Sequence, residues 1–286
     1  MINILNKSNF VFKDQLNKYE GKVRDVYTLN NNILVMIASD RISAFDVIMP
    51  KGITYKGQIL NQIAVEMLNK TNDIVPNWLI SNPDPNVSIG KKCNPIKVEM
   101  VVRGYLSGHA FREYNSGKRE ICGNKIQNGL KENDKFKFPI ITPTTKADQG
   151  LHDQDINPTD IIKQKLLSKE DYDKIYEISL SLYKRGSEIA NKQGLILVDT
   201  KYEFGYDQNG TITLIDEIHT PDSSRYFYFD SYEELQEKGL KQKQLSKEFF
   251  REWLMLNNFR GLQNQLIPEI NEDVISKVSK RNIELY

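Results

Sequence analysis

Glu203 and Asp216 are the residues whose types and spacing point most directly to chemistry. Glu203 lies in the run Leu195–Gly205, and Asp216 ends the run that starts at Thr211, with Asn209-Gly210 just before it. Asn-Gly between two β-branched runs predicts a hairpin, because both residues tolerate positive φ. With Asn209 and Gly210 as the two loop residues, Glu203 faces Asp216 directly, Cβ to Cβ about 5 Å. Carboxylates that close repel unless a cation or a shared proton sits between them. Paired oxygen ligands suit Mg²⁺, which takes one or two carboxylates together with phosphate oxygens. The implied chemistry is metal-assisted phosphoryl transfer. A four-residue loop would instead set Glu203 opposite Leu214 and Asp216 opposite Lys201, an ordinary salt bridge. The period of two puts Asp199, Lys201 and Glu203 on one face, after Leu195 and Leu197. A strand whose face turns from apolar to charged is one that leaves a core and enters a cleft.

Other stretches crowd polar groups around turns. Glu20-Gly21-Lys22-Val23-Arg24-Asp25 sets two cations beside a glycine that allows close backbone approach, but it is not a Walker loop. Residues 39–46, with Ser39, Asp40, Arg41 and Ser43, follow a buried strand, as a ligand loop would. Their plain alternative is a turn in which Asp40 or Ser43 bonds backbone. Arg103, Ser107 and two glycines follow another apolar run, and arginine suits bidentate capture of phosphate or carboxylate. Asp222, Ser223 and Arg225 follow the second acidic run. His219 there reads most simply as a structural or surface histidine.

These groups need elements to place them. Lys22–Leu29, a turn at Asn30–Asn32 and Ile33–Ala38 read as a hairpin, and Ile59, Leu60, Ile63, Ala64, Met67 and Leu68 as one helix face. Pro76, Pro83 and Pro85 interrupt regular structure. Lys97–Val102 reads as a strand and marks a boundary between two lobes, 1–98 and 99–286. Residues 115–160 read as loop-rich, including the polar stretch 140–153. A helix follows, capped by Ser168, with Asp171 three residues on, and ended by Gly194. Phe249, Phe250, Trp253 and Leu254 mark a helix near the end, and Val274, Ile275 and Val278 a last amphipathic piece.

Composition excludes several classes. A net charge of +1 argues against a general nucleic-acid binder. No apolar run approaches the roughly 20 residues needed to span a bilayer, and Met1–Lys7 is too short and polar for a signal peptide. Cys93 and Cys122 make no disulfide framework, and three histidines without C-x-x-C or H-x-x-x-H spacing argue against zinc.

Seven stretches together resemble the SAICAR synthetase family of purine synthesis. They are EGKVRDVY at 20–27, SDRISAFDVIMP at 39–50, KGQILNQI at 56–63, VEMVVRGYLSG at 98–108, ITPTTKADQGLHD at 141–153, LILVDTKYEFG at 195–205 and DEIHTPDSSRYF at 216–227. The long TPTTKADQGLHD segment is similar to the longer, yeast-like branch. The resemblance implies an α+β fold of mainly antiparallel sheets flanked by helices, with two lobes around an ATP cleft, related in layout to ATP-grasp ligases and protein kinases. It implies an N-terminal ATP-binding lobe and a C-terminal lobe with the metal and substrate sites. The implied reaction joins L-aspartate to carboxyaminoimidazole ribonucleotide (CAIR) with ATP and Mg²⁺, giving SAICAR, ADP and phosphate. Gly21, Lys22, Arg24, Glu99, Met100 and Val101 resemble the ATP site, the backbone of 99–101 meeting adenine. Glu203 and Asp216 resemble the metal ligands, with Lys201 the third catalytic group. Asp40, Arg41, Ser43, Arg103, Ser107, His109, Lys146, His152, Asp153, Asp222, Ser223 and Arg225 resemble substrate-binding positions. At His109 the family usually has a small hydroxyl residue, so Ser107 is the alternative phosphate donor. The chain is expected to be a cytoplasmic monomer or homodimer that binds neither nucleic acid nor membrane. The rival readings are a small-molecule or lipid kinase on a related fold and a nucleotide sensor without turnover.

Overall fold

The computed structural model describes residues 4–146 and 154–286. Two antiparallel sheets organise them. The first orders its strands Gln15–Glu20, Arg24–Leu29, Ile33–Ala38, Val87–Lys91 and Leu79–Asp84. The expected hairpin is present, with Arg24 opposite Ala38 and Leu29 opposite Ile33. Pro83 and Pro85 do not prevent the last two strands, because Pro83 sits on an edge strand where a missing N–H is tolerated.

The second sheet runs Lys135–Thr145, Asn94–Tyr105, Leu195–Tyr206, Ser224–Tyr228 and Gln244–Leu245, and Ile212–Ile215 also pairs with Leu195–Tyr206. Two central strands of twelve residues each, Asn94–Tyr105 and Leu195–Tyr206, form its middle. The change of sheet falls between Lys91 and Asn94. The 98/99 position lies inside the continuous strand Asn94–Tyr105, whose first two residues already face Tyr206 and Gly205. Residues 140–145, expected as loop, are strand instead. Ile141 to Thr145 pair with Val102 to Val98, and Pro143 is accommodated on the sheet's outer strand.

Helix Lys169–Lys192 begins as its residues require, with Ser168 Oγ accepting from Asp171 N at 3.0 Å. Its buried stripe of Tyr172, Ile175, Leu182 and Tyr183 packs with Val98, Met100, Val102 and Phe204 of the second sheet in the main core. A second core joins distant parts of the chain. Ile42, Met49 and Ile53 pack there with Phe250 and Leu254 of helix Glu248–Leu256 and with Val274 and Val278 of helix Glu272–Leu285. These contacts close the C-terminal helices over the segment that follows strand Ile33–Ala38.

Candidate active site

The carboxylates gather where the two sheets meet, but not in the register of a two-residue loop. Tyr206 faces Ile212 and Glu203 faces Ile215. Asp207 causes the difference. Its Oδ1 accepts from Asn209 N and Thr211 N, both at 2.9 Å, and Gly210 takes φ +77°. The loop therefore has three residues with a left-handed glycine last, the next most common hairpin form. Neither the two-residue nor the four-residue register holds. Asp216 lies beyond the strand, turned out of it at φ +61°.

Glu203 instead meets its fellow carboxylate across the other ladder, where Glu99 is its partner. Lys201 Nζ bridges them, 2.9 Å from Glu99 and 2.7 Å from Glu203, and Lys146 binds the second oxygen of Glu203. Burial works against the Lys201 ammonium, but Glu203, Glu99 and Asp216 outweigh it and raise its pKa. Burial alone would raise Glu203, and the two lysines overcome that and hold it well below the usual range. Asp216 is different. Burial pushes it up, Arg24 opposes, and Glu203 and Glu217 add to the rise. The linked carboxylates Glu99, Glu203, Asp216 and Glu217 outnumber the cations Lys146, Lys201 and Arg24 that bind them, and carboxylate oxygens of this kind fit Mg²⁺.

Arg24 reaches across from the first sheet, 2.7 Å to Asp216 and 2.6 Å to Glu217. Lys22 pairs with Asp46 instead, so the two cations of the glycine turn serve different carboxylates. Lys22 and Val23 are the loop residues of that turn, closed by Gly21 N donating to Arg24 O at 2.8 Å. Arg41 is spent on holding it, donating to Gly21 O and Asp25 at 2.9 and 2.8 Å. Asp40 is also committed to structure. It accepts from Leu5 N and from Gly57 N in the first turn of helix Lys56–Lys70. Ser43 is buried in a two-residue ladder opposite Ile48. In this structure Asp40 and Arg41 make the bonds of the turn alternative. Residues 99–101, expected to meet adenine through their backbone, lie in the middle of the second sheet. Their backbone is laddered on both sides, to residues 142–144 and 201–203.

Beside the carboxylates lies a cavity of about 650 Å³ lined by Arg103, Lys201, Asp222, Ser223, Arg225 and His109, among others. Asp199 stands opposite Arg103 on one neighbouring strand and opposite Arg225 on the other. Its Oδ2 is 2.6 Å from Arg225 and 3.7 Å from Arg103. Arg103 also donates to Thr142 Oγ1, and Arg225 to Ser107 Oγ at 3.3 Å and Glu248 at 3.2 Å. His109 turns its ring to Asp155 at 2.8 Å, so Ser107 is the hydroxyl beside the arginines. His152 and Asp153 lie outside the described residues.

Sequence reasoning missed a buried charge cluster at the same cavity. Asp222 binds Lys56 at 2.8 Å and Lys247 at 3.1 Å. Burial opposes the Asp222 carboxylate, but the two lysines pull its pKa down, while burial drops Lys247 to about 8. Arg251, one turn beyond Lys247, and Arg260 line the cavity too. Lysine and arginine at i and i+4 was the available signal.

Clustered acids and lysines between two sheets, beside an arginine-lined hollow, define an α+β enzyme built to handle anions. The chain belongs to the SAICAR synthetase family, whose model matches residues 17–266. It is 59% identical to phosphoribosylaminoimidazole-succinocarboxamide synthase of Flavobacterium psychrophilum, covering 100% of this chain and 90% of that protein. It is 58% identical to the synthase of that name from Bacteroides thetaiotaomicron, over 99% of this chain and 90% of that one. Among solved structures, the Saccharomyces cerevisiae SAICAR synthase complexed with SAICAR matches at TM-score 0.79 and 31% identity, covering 95% of this chain and 92% of that one. A SAICAR synthetase in complex with ADP matches at 0.68 and 26%, covering 89% and 100%.

Proposed function

We infer that this chain is the ligase that joins L-aspartate to CAIR, consuming ATP and releasing SAICAR, ADP and phosphate. The observation that carries the reading is the position of Lys201. It is bonded to Glu99 and Glu203 and borders the cavity that also holds Arg103 and Arg225. A phosphoryl group and a substrate anion can thus be handled within one side chain's reach.

A carboxylate is a poor acylating group until an oxygen becomes a leaving group. Transfer of the γ-phosphoryl to the CAIR carboxylate makes an acyl phosphate, and the aspartate amine then displaces phosphate and loses a proton. Arg103, Arg225 and Ser107 hold the ribonucleotide phosphate, which takes over guanidinium contacts now made to Asp199. Lys201, with Lys146 beside it, stabilises charge on the transferring group. Lys22 and Arg24 face the ATP phosphates from the glycine turn. Glu203 and Asp216 would hold Mg²⁺, which when bound neutralises phosphate oxygens. His152 and Asp153 belong with Lys146 to the segment assigned to aspartate. We retain a two-lobed organisation, with an N-terminal ATP lobe ending near residue 98, and a cytoplasmic monomer or homodimer.

The test is phosphate release from ATP. Release that needs both CAIR and L-aspartate is expected. Phosphoryl transfer to a hydroxyl acceptor without aspartate would replace this reading with a kinase.

A further inference from the structure

Lys201 and Glu203 share one face of their strand, and Tyr202 between them projects to the other. There Tyr202 is wholly buried, its Oη 2.7 Å from His219 Nε2. His219 stands in the segment that carries Asp216 and Asp222. Neither Tyr202 nor His219 lines the substrate cavity.

Several neighbours hold His219 in place. Its backbone is left-handed at φ +59°, and its carbonyl accepts from Tyr226 Oη at 2.6 Å. Helix Lys169–Lys192 presses against the ring so closely that a Cβ at Gly186 would stand 2.4 Å from Cε1. Nδ1 is buried with no hydrogen-bond partner among the described residues. An unbonded buried polar atom costs stability, so the ring's own solvation does not explain its place. Its one side-chain bond goes to Tyr202. Burial keeps the imidazole neutral, its pKa lowered to about 3, and raises Tyr202 well above its usual value. One proton is shared along the 2.7 Å line between Oη and Nε2, in whichever tautomer the ring adopts.

We propose that the Tyr202–His219 bond is a strut that sets the spacing between the strand bearing Lys201 and Glu203 and the segment bearing Asp216. Both are positioning residues. The inference rests on the metal reading of Glu203 and Asp216. Its physical basis is that Asp216 and His219 both hold left-handed backbones, which side chains other than glycine adopt at a cost. A segment so bent relaxes unless tied. Trp78 Nε1 ties the Asp216 carbonyl at 2.9 Å, and Tyr202 ties the far side of the bend.

Mn²⁺ binding to the ADP complex, followed by electron paramagnetic resonance, tests this without turnover. Tyr202→Phe should weaken Mn²⁺ about tenfold, the scale seen when a metal ligand loses its supporting partner. The KM for CAIR should stay within about twofold, since Arg225 sits on another strand. His219→Gln, which can still hydrogen-bond the phenol, should keep most of the affinity, and His219→Leu should lose it. Tyr202→Phe combined with His219→Leu should be no worse than His219→Leu alone. Wild-type Mn²⁺ affinity in Tyr202→Phe overturns the strut, as does a parallel loss of Mn²⁺ and CAIR binding, which would mean general loosening. Asp216→Asn serves as the control. Unchanged Mn²⁺ affinity there overturns the metal reading itself and the strut with it.

Discussion

At Asp199 one carboxylate holds two arginines from opposite neighbouring strands. A phosphate entering between Arg103 and Arg225 meets guanidiniums already desolvated and aimed, at the cost of breaking contacts to Asp199. Arg225 uses its fork fully. Nη1 serves Asp199 and Ser107, and Nη2 serves Glu248. Lysine keeps the charge but offers one point in place of two aligned edges. Arg225→Lys should therefore raise the KM for CAIR about tenfold, the worth of one charged hydrogen bond. The KM for ATP should stay within about twofold, because Arg225 bonds none of the carboxylates around Lys201. Steady-state kinetics with each substrate varied in turn checks both. An unchanged CAIR KM would remove Arg225 from the phosphate site.

At the scale of elements, helix Gly108–Asn115 is docked against that same arginine. Gly108 takes φ +58°, and a Cβ there would lie 2.5 Å from Arg225 Nη2 and 2.6 Å from Nη1. Gly108→Ala combines backbone strain of roughly 1–2 kcal/mol with displacement of the guanidinium. It should lower the melting temperature and raise the KM for CAIR while leaving ADP affinity unchanged, as thermal melts and calorimetry would record. The elements themselves were largely legible. The helix after Ser168 follows from its cap and stripe, and the Arg24–Ala38 hairpin from its apolar runs and asparagine turn. The acidic hairpin was legible as a hairpin but not in register. Asn-Gly drew attention from Asp207, whose side chain bonds two backbone N–H groups and lengthens the loop to three residues. Residues 141–145 read as loop because threonine and proline dilute the apolar signal. They are strand because Asn94–Tyr105 supplies a ladder, and no local pattern encodes a partner so far away. Glu99 as the neighbour of Glu203 was hidden for the same reason. At Asp40 and Arg41 composition leaves two readings open, since polar groups that support a turn look like groups that bind a ligand.

At the scale of the whole molecule, charge ties the first half of the chain to the last. Lys56 begins the helix between the third strand of the first sheet and its last two, Asp222 lies after the acidic hairpin, and Lys247 leads into helix Glu248–Leu256. Side-chain exposures of 1%, 8% and 12% leave little water to screen them. Two lysines share one carboxylate oxygen there. Burial, with Lys56 and Arg251 adding repulsion, outweighs Asp222 and brings Lys247 down to about 8. In the unfolded chain a lysine titrates near 10.4. Between about pH 8 and 10 the unfolded state therefore holds a proton that the folded state has released, and stability on this account rises with pH. Below about 8 both states are protonated at Lys247, and the folded state bears the full cost of the buried ammonium. The acid partner acts at the other end of the scale. The Asp222 pKa lies below its unfolded value near 3.9, so its contribution is complete above that pH and drains away as pH falls further. Lys247→Met separates the two. Stability measured by urea unfolding at pH 7 and pH 9.5 should rise less with pH in Lys247→Met than in the wild-type chain, while the loss in strong acid persists through Lys56 and Asp222. Equal pH dependence of the two proteins between 7 and 9.5 would show that Lys247 keeps an ordinary lysine pKa and that the link between the chain's two ends is not strained by its second cation.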